Sequence, residues 1–219
     1  MQHDITKLCA LSLRTFLKND HGIELKSGHA HELVAAFFGY KSAISLRQDT
    51  QYPLSNLERA EFIHFDPDLS LVNQRIKELQ LDLPGAVILA EGFYTPLMDE
   101  KWLVEKIWPT FHDLAVYLAE KRLQERLEML RIPLDIIKFD MAVDIEEKGD
   151  SVLFVIDVGY PANAGKRLRD SKFVINLPRV AANMGYGKPK IEETRYSGDA
   201  QKYSDAELLK RYPIPLGIA

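Results

Sequence analysis

A single cysteine, Cys9, in 219 residues excludes an intrachain disulfide, and with it the stapled scaffolds of small secreted domains. No apolar run approaches the roughly 20 residues that span a bilayer; the longest candidate is Ala86 to Ala90, so no membrane segment is expected. The opening residues Met1 to Lys7 lack the basic and apolar regions of a signal peptide, which points to a cytoplasmic protein. Neither sign of charge dominates. The 28 Lys and Arg against 32 Asp and Glu leave a net charge of −4, which weakens nucleic-acid binding without excluding it. Histidine is scarce where a metal site of strands would need it: His3, His21, His29, His31, His64 and His112 all precede the strand-rich last third. His29 and His31 fall on one helix about 200° apart, too far round to share an ion, so neither a metal nor another cofactor is expected. Residues 159–166, GYPANAGK, brush against the phosphate-loop pattern and fail it. Five residues separate the glycines, Arg167 follows the lysine, and the segment leads to a strand. No HExxH, CxxC, nucleophile elbow or internal repeat is present.

What is present is the balance of an ordinary globular protein, 46% hydrophobic and 27% charged, with chain enough to bury a core without metals or disulfides. Asp4 is placed to cap a first helix whose inward face carries Ile5, Leu8, Cys9, Leu13 and Phe16, and Asn19 to Gly22 ends it. Cys9 lies on that inward face, as a small buried thiol. Ser27 is read as the cap of a second helix in which Ala30, Leu33, Val34, Phe37 and Phe38 recur at three- and four-residue spacing. Gly39 stops that helix at about Phe38, and Ser42 caps a short third helix with Ala43, Ile44 and Leu46.

Lys7 and Arg14 to Leu17 on a first helix, then Gly22-Ile23, a Ser-led helix holding Glu32-Leu33-Val34-Ala35, Gly39-Tyr40 and a short final helix form one pattern over residues 4–48. It resembles the N-terminal helical module of glyoxalase-related proteins, also found in uncharacterised bacterial proteins encoded on plasmids and other mobile elements. The resemblance covers about a fifth of the chain and implies a helical fold but no chemistry, so the glyoxalase metal site is not carried over. The same corner brushes against a helix-turn-helix. Ser45 occupies the inward position of its last helix, and residues 1–60 balance seven bases with six acids, which argues against groove reading.

Beyond the module, Phe62 to Phe65 reads as a strand, Asp66-Pro67 as a helix start, and Leu69, Val72, Ile76 and Leu79 as a helical stripe stopped by Pro84-Gly85. Ala86 to Ala90 is too short to classify by period; Glu91 at its end would be a carboxylate at a strand terminus. Glu100 to Leu130 reads as the longest helix, kinked at Pro109. Alternation over Ile137 to Ile145, then Val152 to Val158, Lys172 to Leu177 and Lys190 to Tyr196, gives four strands with connections too short for parallel crossovers. The expected fold is α+β: a helical module at 1–60, a connector at 61–98, and at 99–219 a long helix packed on an antiparallel β-meander.

Charge is segregated along that meander. Residues 140–157 hold six acids and one base, whereas 166–190 hold seven bases and one acid. Bases paired with Asp140, Asp144 and Glu146 across the sheet are one reading. The other is an anion- or nucleic-acid-binding loop of Lys166, Arg167, Arg169 and Lys172. The leading functional expectation is a non-catalytic accessory or interaction protein of a bacterial plasmid or other mobile element. A nucleic-acid binder using residues 166–172 is its rival, and an enzyme of unknown substrate comes third. Two sheet edges and an apolar tail suggest a homodimer, with a protein partner also open.

Overall fold

The computed structural model describes residues 4–99, 101–129, 139–161 and 167–195. It is α+β, as the sequence indicates, and divides into two compact units: residues 1–109 with 178–188, and residues 110–177 with 189–219.

The first unit is built on helices. α1 (Ile5–His21) begins at Asp4, whose carboxylate accepts from the Lys7 amide at 3.3 Å, and ends at Gly22 in the left-handed region, φ 65°. α2 (Ser27–Phe37) buries Ala30, Leu33 to Phe37 and the following Phe38, so nearly its whole circumference is packed. α1 lies on one side of it, and α3 (Ala43–Gln48) and α4 (Leu69–Glu78) on others. Ser42 and Ser45 close a reciprocal capping box at the start of α3. Ser27, by contrast, is the first residue of α2 rather than its cap. Lys26 holds the cap position and makes no side-chain bond there.

α5 (Ala86–Asp99) corrects the reading of residues 86–91. The apolar run is the first turn of a helix, and Glu91 is an exposed mid-helix residue instead of a strand terminus. Its N-terminal cap is not local, since Asn73 of α4 accepts from the Ala86 amide at 2.9 Å. Gly92 lets α5 approach α1: a Cβ there would stand 3.1 Å from the Leu13 Cα. The start of α4 also shifts, from Asp66-Pro67 to Asp68, whose carboxylate accepts from the Ser70 and Leu71 amides at 3.0 Å.

The long helix expected from Glu100 is three elements. α6 (Lys101–Val104) and β2 (Ile107–Trp108) precede Pro109, and α7 (Phe111–Met129) follows it, so the proline stands in the connection instead of kinking a continuous helix. β1 (Phe62–His64) pairs parallel with β2 and antiparallel with β6 (Gly185–Tyr186), which in turn pairs with the end of β5 (Arg167–Ala181). The β1–β2 pair is the parallel exception to a mostly antiparallel fold. Residues 61–98, set apart by sequence as a connector, share one apolar core with the helical module, which Ala181, Ala182 and Met184 complete.

The second unit has the expected antiparallel meander with a helix on one face. β3 (Asp140–Glu147) pairs with β4 (Ser151–Pro161), β4 neighbours β5, and β7 (Lys190–Arg195) pairs with β5 over Ser171 to Asn176. Val152, Phe154, Ile156 and Val158 of β4 and Phe173, Ile175 and Leu177 of β5 are buried, as are Phe111, Leu114, Leu118 and Leu123 of α7. The Phe111 and Phe154 rings meet at 5.9 Å. Residues 137, 138 and 196 of the expected strands lie outside the described residues. No helix among the described residues is long and apolar enough to cross a membrane.

Candidate functional site

A groove of about 670 Å³ opens in the first unit, between the start of α1, the first turns of α2, α3, and the segment from Asp49 through the 3₁₀ turn Leu54–Arg59. That volume falls within the ~300–1,000 Å³ of small-ligand clefts. Its floor is apolar: Ile5, Ala43, Leu46, Leu54 and Leu57 are all core residues that show one edge to the opening.

The polar rim is held by local backbone chemistry. Asp4 accepts from Thr6 Oγ1 at 2.6 Å and pairs with Lys7 Nζ at 3.1 Å. Burial pushes its carboxyl up, but these bonds and the lysine charge outweigh it, and the net shift is below the usual carboxylate range. Glu32 Oε2 accepts from the Ala43 amide at 3.2 Å, at the start of α3, and lies 3.9 Å from Arg75 Nε. Arg47 Nε donates to the Ala43 carbonyl at 3.1 Å.

Asp49 is the most heavily bonded rim residue. Its Oδ1 accepts from the Gln51 and Tyr52 amides at 3.0 and 2.9 Å, and its Oδ2 from the Tyr40 hydroxyl at 2.7 Å. Desolvation acts to raise its pKa, yet the Tyr40 bond, the two amides and the nearby Arg179 charge prevail and lower it. Tyr40 is shifted the other way, upward, by burial and by the Asp49 carboxylate it serves. The Arg179 guanidinium stands 5.7 Å from the centre of the Tyr52 ring. Its Nε is buried without a hydrogen-bond partner among the described residues.

The linkage has a measurable sign. A carboxyl whose folded pKa is depressed contributes stability that is complete above its unfolded pKa, about 3.9, and is lost as pH falls through the folded value. Tyr40→Phe should therefore cost about 1 kcal/mol near pH 6, and the gap from the natural protein should narrow as pH falls below about 4. Thermal melts across that range check it; a gap constant with pH would mean that the hydroxyl does not hold the Asp49 charge.

The sequence placed its candidate site elsewhere. Lys166 lies outside the described residues, as do the side chains of Arg167 and Arg169, which are positions of β5. Lys172 is a half-buried β5 residue between the fully buried Ser171 and Phe173. The side chains that would pair Lys166, Arg167 and Arg169 with Asp140, Asp144 and Glu146 lie outside the described residues. β4 stands between β3 and β5, so Asp140, Asp144 and Glu146 oppose Gly159, Val155 and Leu153. Glu146 pairs with Lys148 at 3.6 Å. Among the described residues, no group of three or more His, Cys, Asp or Glu is placed to hold a metal ion. Cys9 is buried under α5, with its Sγ 3.6 Å from the Phe93 carbonyl, and burial pushes its thiol up to about 12.

No family model matches this chain, and neither does any curated protein or solved structure. The groove is therefore read from its own chemistry. Its residues escaped sequence reading because Gly28, Glu32, Arg47, Asp49 and Glu58 share no motif; they meet through packing of α1, α2, α3 and the 3₁₀ turn. The one local signal was Asp49 ahead of Gln51-Tyr52, an Asp-led turn.

Proposed function

We propose that this chain is a non-catalytic interaction protein, and that the groove beside α3 is its binding surface. The observation that carries the reading is a concave apolar floor with three rim carboxylates committed to the backbone. Asp4 caps α1, Glu32 serves the start of α3, and Asp49 closes a turn. A general acid or base works best with a pKa near the operating pH, whereas Asp4 and Asp49 are shifted down and stay ionised at neutral pH. Groups held in this way orient a ligand and fix its register without exchanging protons with it. The resemblance of residues 4–48 to a helical module without chemistry of its own agrees with this reading, as does a role as an accessory protein of a plasmid or other mobile element. A cytoplasmic homodimer completes the proposal.

Gly28 supplies the test. It lines the groove at the second position of α2, and a Cβ there would meet nothing within 4 Å. Gly28→Trp should fill the groove without disturbing the core, and the loss of a helical glycine should hold or slightly raise stability. With N-acetyl-leucyl-leucine amide as probe, amide shifts in an NMR titration should move at residues 28–32 and 43–58 at about millimolar concentration. They should be lost in Gly28→Trp at unchanged melting temperature. Shifts located elsewhere, or undiminished in the variant, would remove the groove as the binding surface.

A further inference from the structure

The charges around the groove are not evenly matched, and their distribution bears on what it holds. On the α1 side, Asp4 is paired with Lys7 at 3.1 Å. On α2, Glu32 is met by the Ala43 amide at 3.2 Å and by Arg75 at 3.9 Å. On α3, Arg47 is the lining charge, and its Nε is turned to the Ala43 carbonyl. The remaining wall, residues 49–58, contributes Asp49 and Glu58 to the lining and no base. Asp49 is held ionised by hydrogen bonds to Tyr40 and two amides and by the nearby charge of Arg179, which is not among the residues lining the groove. Glu58 is exposed, and Lys106 Nζ donates to its backbone carbonyl at 3.0 Å. Below these two carboxylates lie Leu54 and Leu57, the buried residues of the same turn.

From this juxtaposition we propose that the groove takes a segment of a partner protein that presents an aliphatic side chain to the Leu46, Leu54 and Leu57 floor and a lysine or arginine to the Asp49–Glu58 wall. The inference rests on the groove being the binding surface and adds the chemistry of the occupant. An aliphatic side chain of Leu size matches a floor made of leucines, isoleucine and alanine, and its burial supplies the non-directional part of the affinity. The cation supplies orientation. It meets two carboxylates on one wall and Arg47 on another, so a reversed segment, or one with an acid in that place, meets repulsion.

Three capped peptides of equal length decide the matter in the same NMR titration: N-acetyl-Lys-Leu-Leu-Lys amide, its Glu-Leu-Leu-Glu counterpart, and Lys-Ser-Ser-Lys. The expected result is a shift pattern at residues 43–58 with Lys-Leu-Leu-Lys, at least tenfold weaker binding of Glu-Leu-Leu-Glu, and none by Lys-Ser-Ser-Lys. Glu58→Lys, a change at an exposed residue, should reduce the Lys-Leu-Leu-Lys affinity at least threefold and improve that of Glu-Leu-Leu-Glu, with melting temperature unchanged. Equal binding of both leucine peptides at the groove, lost in Gly28→Trp, would overturn the cationic occupant and leave the groove standing. No shift at the groove with any peptide, neutral or charged, would overturn both.

Discussion

Phe37→Ala should lower the unfolding free energy by about 4 kcal/mol, near the upper end for deleting a buried aromatic side chain. Phe37 is 1% exposed, on the helix that every other helix of the module packs around. Its ring stacks on Phe93 at 4.3 Å and meets Phe65, Tyr94 and Phe38 edge-on at 5.2, 5.5 and 5.6 Å. These partners come from α5 and from the residues that follow β1 and α2, so a cavity there loosens contacts far apart in sequence. Beyond area burial, each aromatic pair adds about 0.5–1.5 kcal/mol. Urea unfolding should show a lower midpoint with an unchanged slope. Leu11→Ala, at a residue 60% exposed on α1, should move stability by under about 0.5 kcal/mol. If the two variants melt together, the aromatic cluster is not the centre of this core.

Arg126→Leu should cost about 3 kcal/mol, for a different reason. Arg126 is 9% exposed at the end of α7, where its Nη1 donates to Ser171 Oγ on β5 and to Glu193 Oε1 on β7, both at 2.9 Å. Arg195 also approaches Glu193, at 3.3 Å. Removing the guanidinium takes a donor from the fully buried Ser171 hydroxyl and leaves the Glu193 carboxylate to Arg195, and the loss of these two charged hydrogen bonds dominates the cost. Adding Glu193→Gln to Arg126→Leu should recover about 1 kcal/mol or more, because the stranded charge is gone. Denaturant melts of the single and double variants check this. A double variant no more stable than Arg126→Leu alone would mean that the cost is lost packing of the arginine stem.

Strand order in the second unit is not legible in the sequence. Alternation in Ile137 to Ile145 announces a strand and its two faces, but it carries no information about which strand lies beside it. Bases on β5 and acids on β3 look complementary in a linear reading, while β4 between them puts them two interstrand spacings apart, about 9.5 Å. The burial of Arg126 escapes a linear reading for the same reason. Arg126 stands among Glu125 and Glu128, and its partners Ser171 and Glu193 lie 45 and 67 residues on.

The sequence by itself determined the elements whose causes are local. Asp4, Gly22, Gly39 and Ser42 set the ends of α1, α2 and α3 because a cap acts within one turn of helix. The apolar run Val152 to Val158 marked a strand, and the placing of Cys9 beside Leu8 foretold a buried thiol. Tertiary structure decided the rest. α5 starts where Asn73 of another helix accepts its first amide, and a sequence punctuated by Gly92 and Pro96 gives no sign of that. The break at Pro109 became a strand because Ile107 found Ile63 to pair with. The groove exists only where four separate segments leave a gap above Leu54 and Leu57; hydrophobic burial fixes which residues go inside, not the concavities left between them.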